Sequence, residues 1–138
     1  MAANTQFAIA VHILAGLGYR EGRETPSSLL AKSVNTSPSF VRRTLAKLSR
    51  AGLVETSTGK GGACRLAKDP ERISLLDVYE AVEAPKAFAI HAYANQKSCP
   101  VSCRIKQALE TAQERTQQAM EAGLDAISLA EILADIRK

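Results

Sequence analysis

Residues 25–66 read TPSSLLAKSVNTSPSFVRRTLAKLSRAGLVETSTGKGGACRL, and this stretch decides the fold. Ser37 and Pro38 predict the start of a helix, because serine caps free backbone amides and proline suits the first helical position. Apolar residues then recur at helical spacing up to about Arg50, which gives this helix one buried stripe and leaves its basic side chains on other faces. The stripe consists of Val41, Leu45 and Leu48.

A hairpin is predicted after this basic helix. Residues 53–56 and 63–66 have strand character, and the glycines between them favour a flexible basic turn. Before the basic helix, Thr25 and Pro26 are expected to open a second, short helix whose Leu29 faces inward. This order of elements indicates a mainly α fold with a small β-hairpin wing, the winged helix-turn-helix.

Further helices are predicted on both sides of this stretch. One spans residues 5–17, and a capping box at Ser74 opens another. A long helix is expected over residues 100–122 and should be broken by Gly123, while Ser128 caps a last helix. The chain therefore continues well beyond the minimal winged domain.

Two regions follow from this pattern. Residues 1–84 form the predicted winged helix-turn-helix domain, and residues 85–138 form a sensor loop with helices expected to pack on the N-terminal helix. The long helix carries an apolar stripe that requires a partner surface, which we predict to be a dimer interface. Its residues are Val101, Ile105, Leu109, Ala112, Ala119 and Met120.

Charge is unevenly distributed over the 138 residues, whose formal net charge is +4. Residues 1–72 contain 11 Lys and Arg against 5 Asp and Glu, whereas residues 73–138 contain 7 against 9. A basic front favours a polyanionic partner. No apolar run approaches the ~20 residues of a membrane span. The N-terminus lacks the pattern of a secretion signal, so we expect a cytoplasmic protein.

The basic helix is the candidate DNA reader, because a helix fits the major groove and its first residues reach base edges. Arg42 and Arg43 lie near that end, and an arginine can donate two hydrogen bonds to guanine. The predicted DNA contacts are Thr25, Ser27, Ser28, Ser37, Pro38, Ser39, Arg42, Arg43, Lys47, Thr58, Lys60 and Gly61. No Ser–His–Asp order, phosphate loop or His-Glu-x-x-His motif occurs, so we predict no catalytic residues and no enzyme.

Several segments resemble the Rrf2 family of winged-helix transcriptional regulators. They are SPSFVRRTLAKL from Ser37, AGLV from Ala51, the glycine pair at 61–62, LAKDP from Leu66 and ISLLDVYEAVE from Ile73. The paired arginines, the Asp-Val-Tyr segment and Cys99-Pro-Val are most similar to the family's YwnA-like branch. This resemblance implies a homodimeric regulator, usually a repressor, whose long C-terminal helix carries the dimer contact. We expect such a dimer to bind a palindromic operator in double-stranded DNA.

Three positions depart from the pattern of the better-known, cluster-binding members. Thr58 stands where many have a wing arginine, Cys64 where many members have a wing tyrosine, and Arg42 where a glutamate is common. The wing contacts and operator sequences of those members are therefore not carried over to this chain.

The cysteines are odd in number, so they do not form a closed disulfide framework. Cluster-binding members present three cysteines in the loop before the dimer helix, whereas this loop has Cys99 and Cys103, with His91 upstream. We therefore predict no metal and no cofactor, and keep an iron–sulfur cluster on Cys99 and Cys103 as an alternative.

Cys99 immediately precedes the helix that begins at Pro100, where free amides favour a thiolate, and Cys103 lies one turn further along. A thiol switch is one hypothesis for this pair, with Cys64 as a weaker candidate, and small apolar packing is the other. A redox or cluster protein without DNA binding, and a dimeric adaptor, remain alternatives to a DNA-binding regulator.

Overall fold

The computed structural model describes residues 5–57 and 62–138. These residues form six α-helices, three short strands and one 3₁₀ turn. The predicted mainly α fold with a small β wing is therefore confirmed. In chain order they are α1 (Gln6–Tyr19), β1 (Thr25–Pro26), α2 (Ser27–Val34), α3 (Pro38–Arg50), β2 (Val54–Thr56), β3 (Ala63–Leu66), the 3₁₀ turn (Pro70–Arg72), α4 (Leu75–Ala81), α5 (Pro100–Asp125) and α6 (Leu129–Ile136).

Helix α1 occupies the centre of the core. Its Ile13, Leu14 and Leu17 are fully buried, and the helix contacts α2, α3, β3, α4 and α6. Gly18 lies so close to Leu133 that an added Cβ would be 2.7 Å from a leucine methyl. The N-terminal helix is therefore the element against which the rest of the winged domain packs.

The strands form an antiparallel sheet in the order β1–β3–β2. Thr25 pairs with Cys64 and Val54 pairs with Leu66. The expectation that Thr25 and Pro26 belong to the first turn of a helix was wrong, because these residues pair with β3 and α2 begins only at Ser27. The sheet thus ties the start of the helix-turn-helix to the wing.

Helices α4 and α6 begin next to each other, and a serine caps the start of each. The Ser74 hydroxyl accepts a hydrogen bond from the Asp77 amide, and the Asp77 carboxylate accepts one from the Ser74 amide, which confirms the capping box of α4. The Ser128 hydroxyl accepts from the amide of Glu131 in the same way at α6. Ser74 and Ser128 also form a β-bridge, so the two helix starts support one another.

The chain divides into two compact units. The first comprises the described residues up to Ala84 together with Leu124–Lys138, and the second is Pro85–Gly123. Residues 85–138 were expected to form one region. The structure instead includes α6 in the first unit, because Leu129 and Leu133 are buried in its core and α6 packs on α1.

The second unit consists of most of α5 and the loop that precedes it. The loop is held to α5 by side-chain hydrogen bonds: Gln113 Nε2 donates to the Phe88 carbonyl at 2.6 Å, and the Ala87 amide donates to Gln117 Oε1 at 3.0 Å. No residue of α5 is fully buried, and Val101 is 67% exposed. The apolar stripe predicted on this helix is therefore open in the single chain.

Two local expectations about helices were wrong. Helix α5 continues through Gly123 to Asp125, because one glycine costs a 26-residue helix only about 1 kcal/mol. Leu29 does not face inward but is 41% exposed. Among the described residues, no helix is both long and apolar enough to cross a bilayer.

Replacing Ser74 by alanine should lower the free energy of unfolding by about 1 kcal/mol, because the cap of α4 is lost. Urea unfolding monitored by circular dichroism measures this change. Ser28→Ala, at an exposed position near the start of α2, is the matched control and should change stability by less than about 0.5 kcal/mol. Equal effects of the two substitutions would contradict a special role for the cap.

Candidate nucleic-acid interface

The turn between α2 and α3 fixes how the basic helix leaves the core. Asn35 adopts a left-handed conformation with φ 61°, and its amide and that of Thr36 both donate to the Ala31 carbonyl. The Ser37 hydroxyl then accepts a hydrogen bond from the Phe40 amide at 3.2 Å, which confirms the predicted cap with Pro38 next to it. The helix-turn-helix therefore follows from the residues at the turn itself.

One face of α3 is anchored in the core and another is free. The predicted stripe is confirmed, since Val41, Leu45 and Leu48 are buried together with Thr44, whose hydroxyl donates to the Phe40 carbonyl. The outward side chains at the beginning of the helix are all exposed. They are Ser39, Arg42 and Arg43.

Both exposed arginines have neighbours on the same helix that restrict their side chains. The Arg43 guanidinium carbon lies 5.5 Å from the centroid of the Phe40 ring, a cation–π arrangement. Arg42 Nη2 donates to the Ser39 hydroxyl at 3.5 Å. An arginine held in a limited set of orientations loses less side-chain entropy when it donates to a guanine or a phosphate.

A basic cleft runs between α3 and the wing. Arg42, Ala46 and Arg50 line it at intervals of four residues along α3, and Thr56 and Gly62 line it from the wing. Arg50 was not among the predicted contacts, although its four-residue spacing from Arg42 through Ala46 is visible in the sequence. Arg50 is exposed and widens the positive surface beyond the first turn of α3.

Several other predicted contacts have structural partners. Thr25 is 1% exposed and paired with β3, so its side chain, contrary to the prediction, is not accessible to DNA. Ser27 is also buried, whereas Ser28 is exposed. Lys47 is half-buried, and its Nζ donates to Gln6 Oε1 at 3.2 Å, which ties α3 to the first turn of α1. Thr58, Lys60 and Gly61 lie outside the described residues.

Cys64 has the surroundings of a core residue. It is 1% exposed, and its Sγ lies 3.4 Å from the Thr25 carbonyl oxygen. Burial raises the pKa of this thiol to about 11. Because a protonated thiol is a poor nucleophile, these surroundings argue against a redox role for Cys64.

Cys99 and Cys103 lie at the start of α5 in the second unit. The Ser102 amide donates to Cys99 Sγ at 3.4 Å, so this sulfur occupies the position of a helix N-cap. Cys103 is exposed, and its Sγ lies 3.4 Å from the Gln96 carbonyl oxygen. His91, upstream in the loop, stacks its ring on Tyr93 at 4.7 Å between centroids.

Comparison with known proteins agrees with this geometry. The Rrf2 family model, described as an iron-dependent transcriptional regulator, matches residues 3–135. YwnA of Bacillus subtilis strain 168, a candidate HTH-type transcriptional regulator, is 41% identical over 131 residues, which cover 94% of this chain and 96% of YwnA. The chain belongs to the Rrf2 family of transcriptional regulators, as its sequence motifs predicted.

Solved structures give the same result for the fold. A crystal structure of a candidate DNA-binding protein is 39% identical, with a TM-score of 0.74 over 93% of this chain and 98% of that one. CymR, the global cysteine regulator of B. subtilis, has the same fold at 21% identity, with a TM-score of 0.68 over 97% of both chains. DNA is thus the partner that membership of this family implies for the chain, and the exposed arginines of α3 are the candidate contacts.

The iron in the family's description requires a ligand set, and the described residues of this chain do not bring a matching one together. Within residues 5–57 and 62–138, no three His, Cys, Asp or Glu side chains converge in a metal-binding arrangement. The loop offers Cys99 and Cys103, and the remaining cysteine, Cys64, is buried beside Thr25. The donor set of one chain therefore does not fit an iron site.

Replacing Arg42 or Arg43 by alanine should weaken specific DNA binding by about 1–3 kcal/mol and non-specific binding by less, because bidentate contacts to bases carry the discrimination. The probe is a duplex that the parent protein selects from a randomised pool, compared with a scrambled duplex in fluorescence anisotropy. Arg115→Ala removes the same charge from α5 and is the matched control. Equal losses on both duplexes would show that these arginines contact only the backbone.

Proposed function

We propose that this protein is a homodimeric repressor that binds a palindromic operator through one α3 helix from each protomer. The single observation that supports a dimer is the apolar stripe of α5, which one chain alone leaves accessible to solvent. This 26-residue helix has no fully buried residue. It exposes Val101, Ala112 and Ala119, with the half-buried Ile105, Leu109 and Met120 completing the stripe.

A stripe of this kind supports self-association for a physical reason. Each apolar side chain that leaves water contributes roughly 25 cal/mol per Å², and a helix about 39 Å long presents several such side chains along one line. A two-fold pair places the same stripe on both sides of the contact. Two identical reading helices then require half-sites separated by about one turn of DNA, which is a palindrome.

Repression is the mode that the family resemblance implies, and a dimer bound to promoter DNA is able to exert it. The base contacts come from the first turns of α3, and Arg50 in the basic cleft supplies phosphate contacts. Affinity should therefore fall steeply as salt rises, since each neutralised phosphate releases counterions.

Ala112→Glu should dissociate the dimer, because it places a charge at an exposed position in the middle of the stripe without disturbing the core of one chain. Sedimentation equilibrium measures the dimer fraction, and binding to a full palindrome should fall while binding to a half-site is retained. Gln107→Glu adds the same charge on the opposite side of α5 and is the control. An Ala112→Glu protein that stays dimeric would place the interface elsewhere.

The direction of regulation is measured with the same pair of variants. The template for an in vitro transcription reaction is the promoter region of the gene that encodes this protein. The parent protein and Gln107→Glu should lower transcript yield, and Ala112→Glu should not. A transcript that rises with the parent protein would contradict repression.

The cysteine pair at the start of α5 supports a second part of the proposal, control by thiol oxidation. With a hydroperoxide as oxidant, the Cys99 thiolate attacks the O–O bond and becomes a sulfenic acid, and one water or alcohol leaves. The Cys103 thiol then displaces the sulfenic oxygen as water. The two thiols lose two electrons and two protons, and one disulfide is formed.

Such a disulfide would distort the first turn of α5. Cys99 Sγ now caps the Ser102 amide, and the Cys103 amide donates to the Cys99 carbonyl at 3.1 Å. Two cysteines one helical turn apart reach disulfide geometry only when this turn changes. The change would occur on the helix that we propose as the dimer contact.

Hydrogen peroxide should lower the operator affinity of the parent protein, and Cys99→Ser should abolish this response. Mass spectrometry after alkylation should find Cys99 and Cys103 linked. Cys64 should stay free until the protein is unfolded, because with a pKa of about 11 only about one thiol in a thousand is ionised at pH 8. Operator binding that ignores the oxidant, or a Cys99→Ser protein that responds like the parent, would contradict the switch.

A further inference from the structure

A cavity of about 480 Å³ lies in the first unit, on the side of the core where α1, α2 and the end of α6 meet. Its volume is within the range of small-molecule sites in proteins. The cysteine pair does not line it, and neither do the exposed arginines of α3. A function for this cavity is therefore separate from the proposed function of the DNA reader and the thiols.

The rim of this cavity is unusually apolar for a protein surface. Tyr19, Leu29 and Ile136 line it and are 56%, 41% and 53% exposed. Among the described residues, the remaining large exposed apolar side chains are Phe88 and Val101, both in the second unit. The exposed apolar surface of the first unit is thus gathered at one cavity, which is typical of a binding site.

The charged groups at the cavity are all of one sign. Arg20 and Arg23 line it, and no aspartate or glutamate does. Arg20 Nε is buried and has no hydrogen-bond partner among the described residues. Arg23 Nε donates to the main-chain carbonyl of Arg20 at 3.1 Å, which holds the Arg23 guanidinium at the end of α1. A buried N–H group without an acceptor is costly, so an anionic acceptor would be stabilised here.

The cavity also has a polar edge that joins two helices. His12 Nε2 lies 3.0 Å from the Ser33 hydroxyl, which links α1 to α2 across the cavity. The buried wall behind this edge includes Leu30. The lining therefore combines an apolar wall, a hydrogen-bonding edge and two cations.

We propose that this cavity binds a small carboxylate with an apolar body. The carboxylate would accept hydrogen bonds from Arg20 and Arg23, and the apolar body would cover Tyr19, Leu29 and Ile136. The charge complementarity and the unpaired Arg20 Nε favour this occupant over a neutral apolar molecule. They also favour it over the apolar face of a second copy of the chain.

Methyl NMR of the full chain, labelled at leucine and isoleucine, tests the proposal with sodium octanoate as the probe. The methyl signals of Leu29, Leu30 and Ile136 should shift in a saturable way. Octanamide has the same body without the charge, and acetate has the charge without the body. Each should bind at least about tenfold more weakly, because a charge-assisted pair or most of the apolar contact is lost.

Two variants complete the test. Arg20→Gln should weaken octanoate binding about tenfold, and Arg72→Gln removes the same charge from an exposed position outside the cavity and should bind like the parent. Leu29→Gln changes an exposed wall residue, so the protein should stay folded and lose affinity for octanoate. These results would support the site even if Arg20→Gln failed to fold.

Three results would overturn the proposal. The first is the absence of a saturable shift with octanoate. The second is equal affinity for octanoate and octanamide, which would indicate unspecific apolar binding. The third is a loss of dimer in sedimentation equilibrium on Leu29→Gln, which would show that a second copy covers the cavity.

Discussion

The burial of α1 is the interaction on which the rest of the winged domain depends. Ile13, Leu14 and Leu17 are completely enclosed, and fully burying such a side chain contributes about 1.5–3 kcal/mol. This core also positions helix α3, because Val41, Leu45 and Leu48 belong to the same buried cluster. The candidate DNA-reading helix is thus oriented by a helix for which no DNA contact was predicted.

The sequence predicted those features that are decided within a few residues. Serine caps at positions 37, 74 and 128 were recognised because each cap bonds an amide only three residues further on. Thr25 and Pro26 were misplaced because their strand partner lies 39 residues away, and no local pattern announces a two-residue strand. Gly123 was overestimated as a helix breaker, since the cost of one glycine is small beside the length of α5.

In the candidate DNA reader too, features set by neighbouring residues were predicted, whereas features set by contacts distant in sequence were not. Its arginines were predicted from the charge of α3, but the role of Lys47 needed the three-dimensional contact with Gln6, and that of Thr25 needed the sheet. The stacking of Arg43 on Phe40 was only partly predictable. The spacing of three residues permits this contact, and the structure shows that it forms. Cys64 was the weaker redox candidate in the sequence, and its burial supplies the chemical reason against that role.

The β-bridge between Ser74 and Ser128 has a consequence for how the chain is organised. The Leu75 amide donates to the Ile127 carbonyl, and the Leu129 amide donates to the Ile73 carbonyl, so the segments before α4 and α6 are joined directly. Every residue of the second unit lies between these two joined segments in sequence. Pro85–Gly123 is therefore an insertion into the first unit, and hydrogen bonds join the two segments of that unit on either side of it. The buried cluster that orients α3 accordingly contains no residue of this insertion.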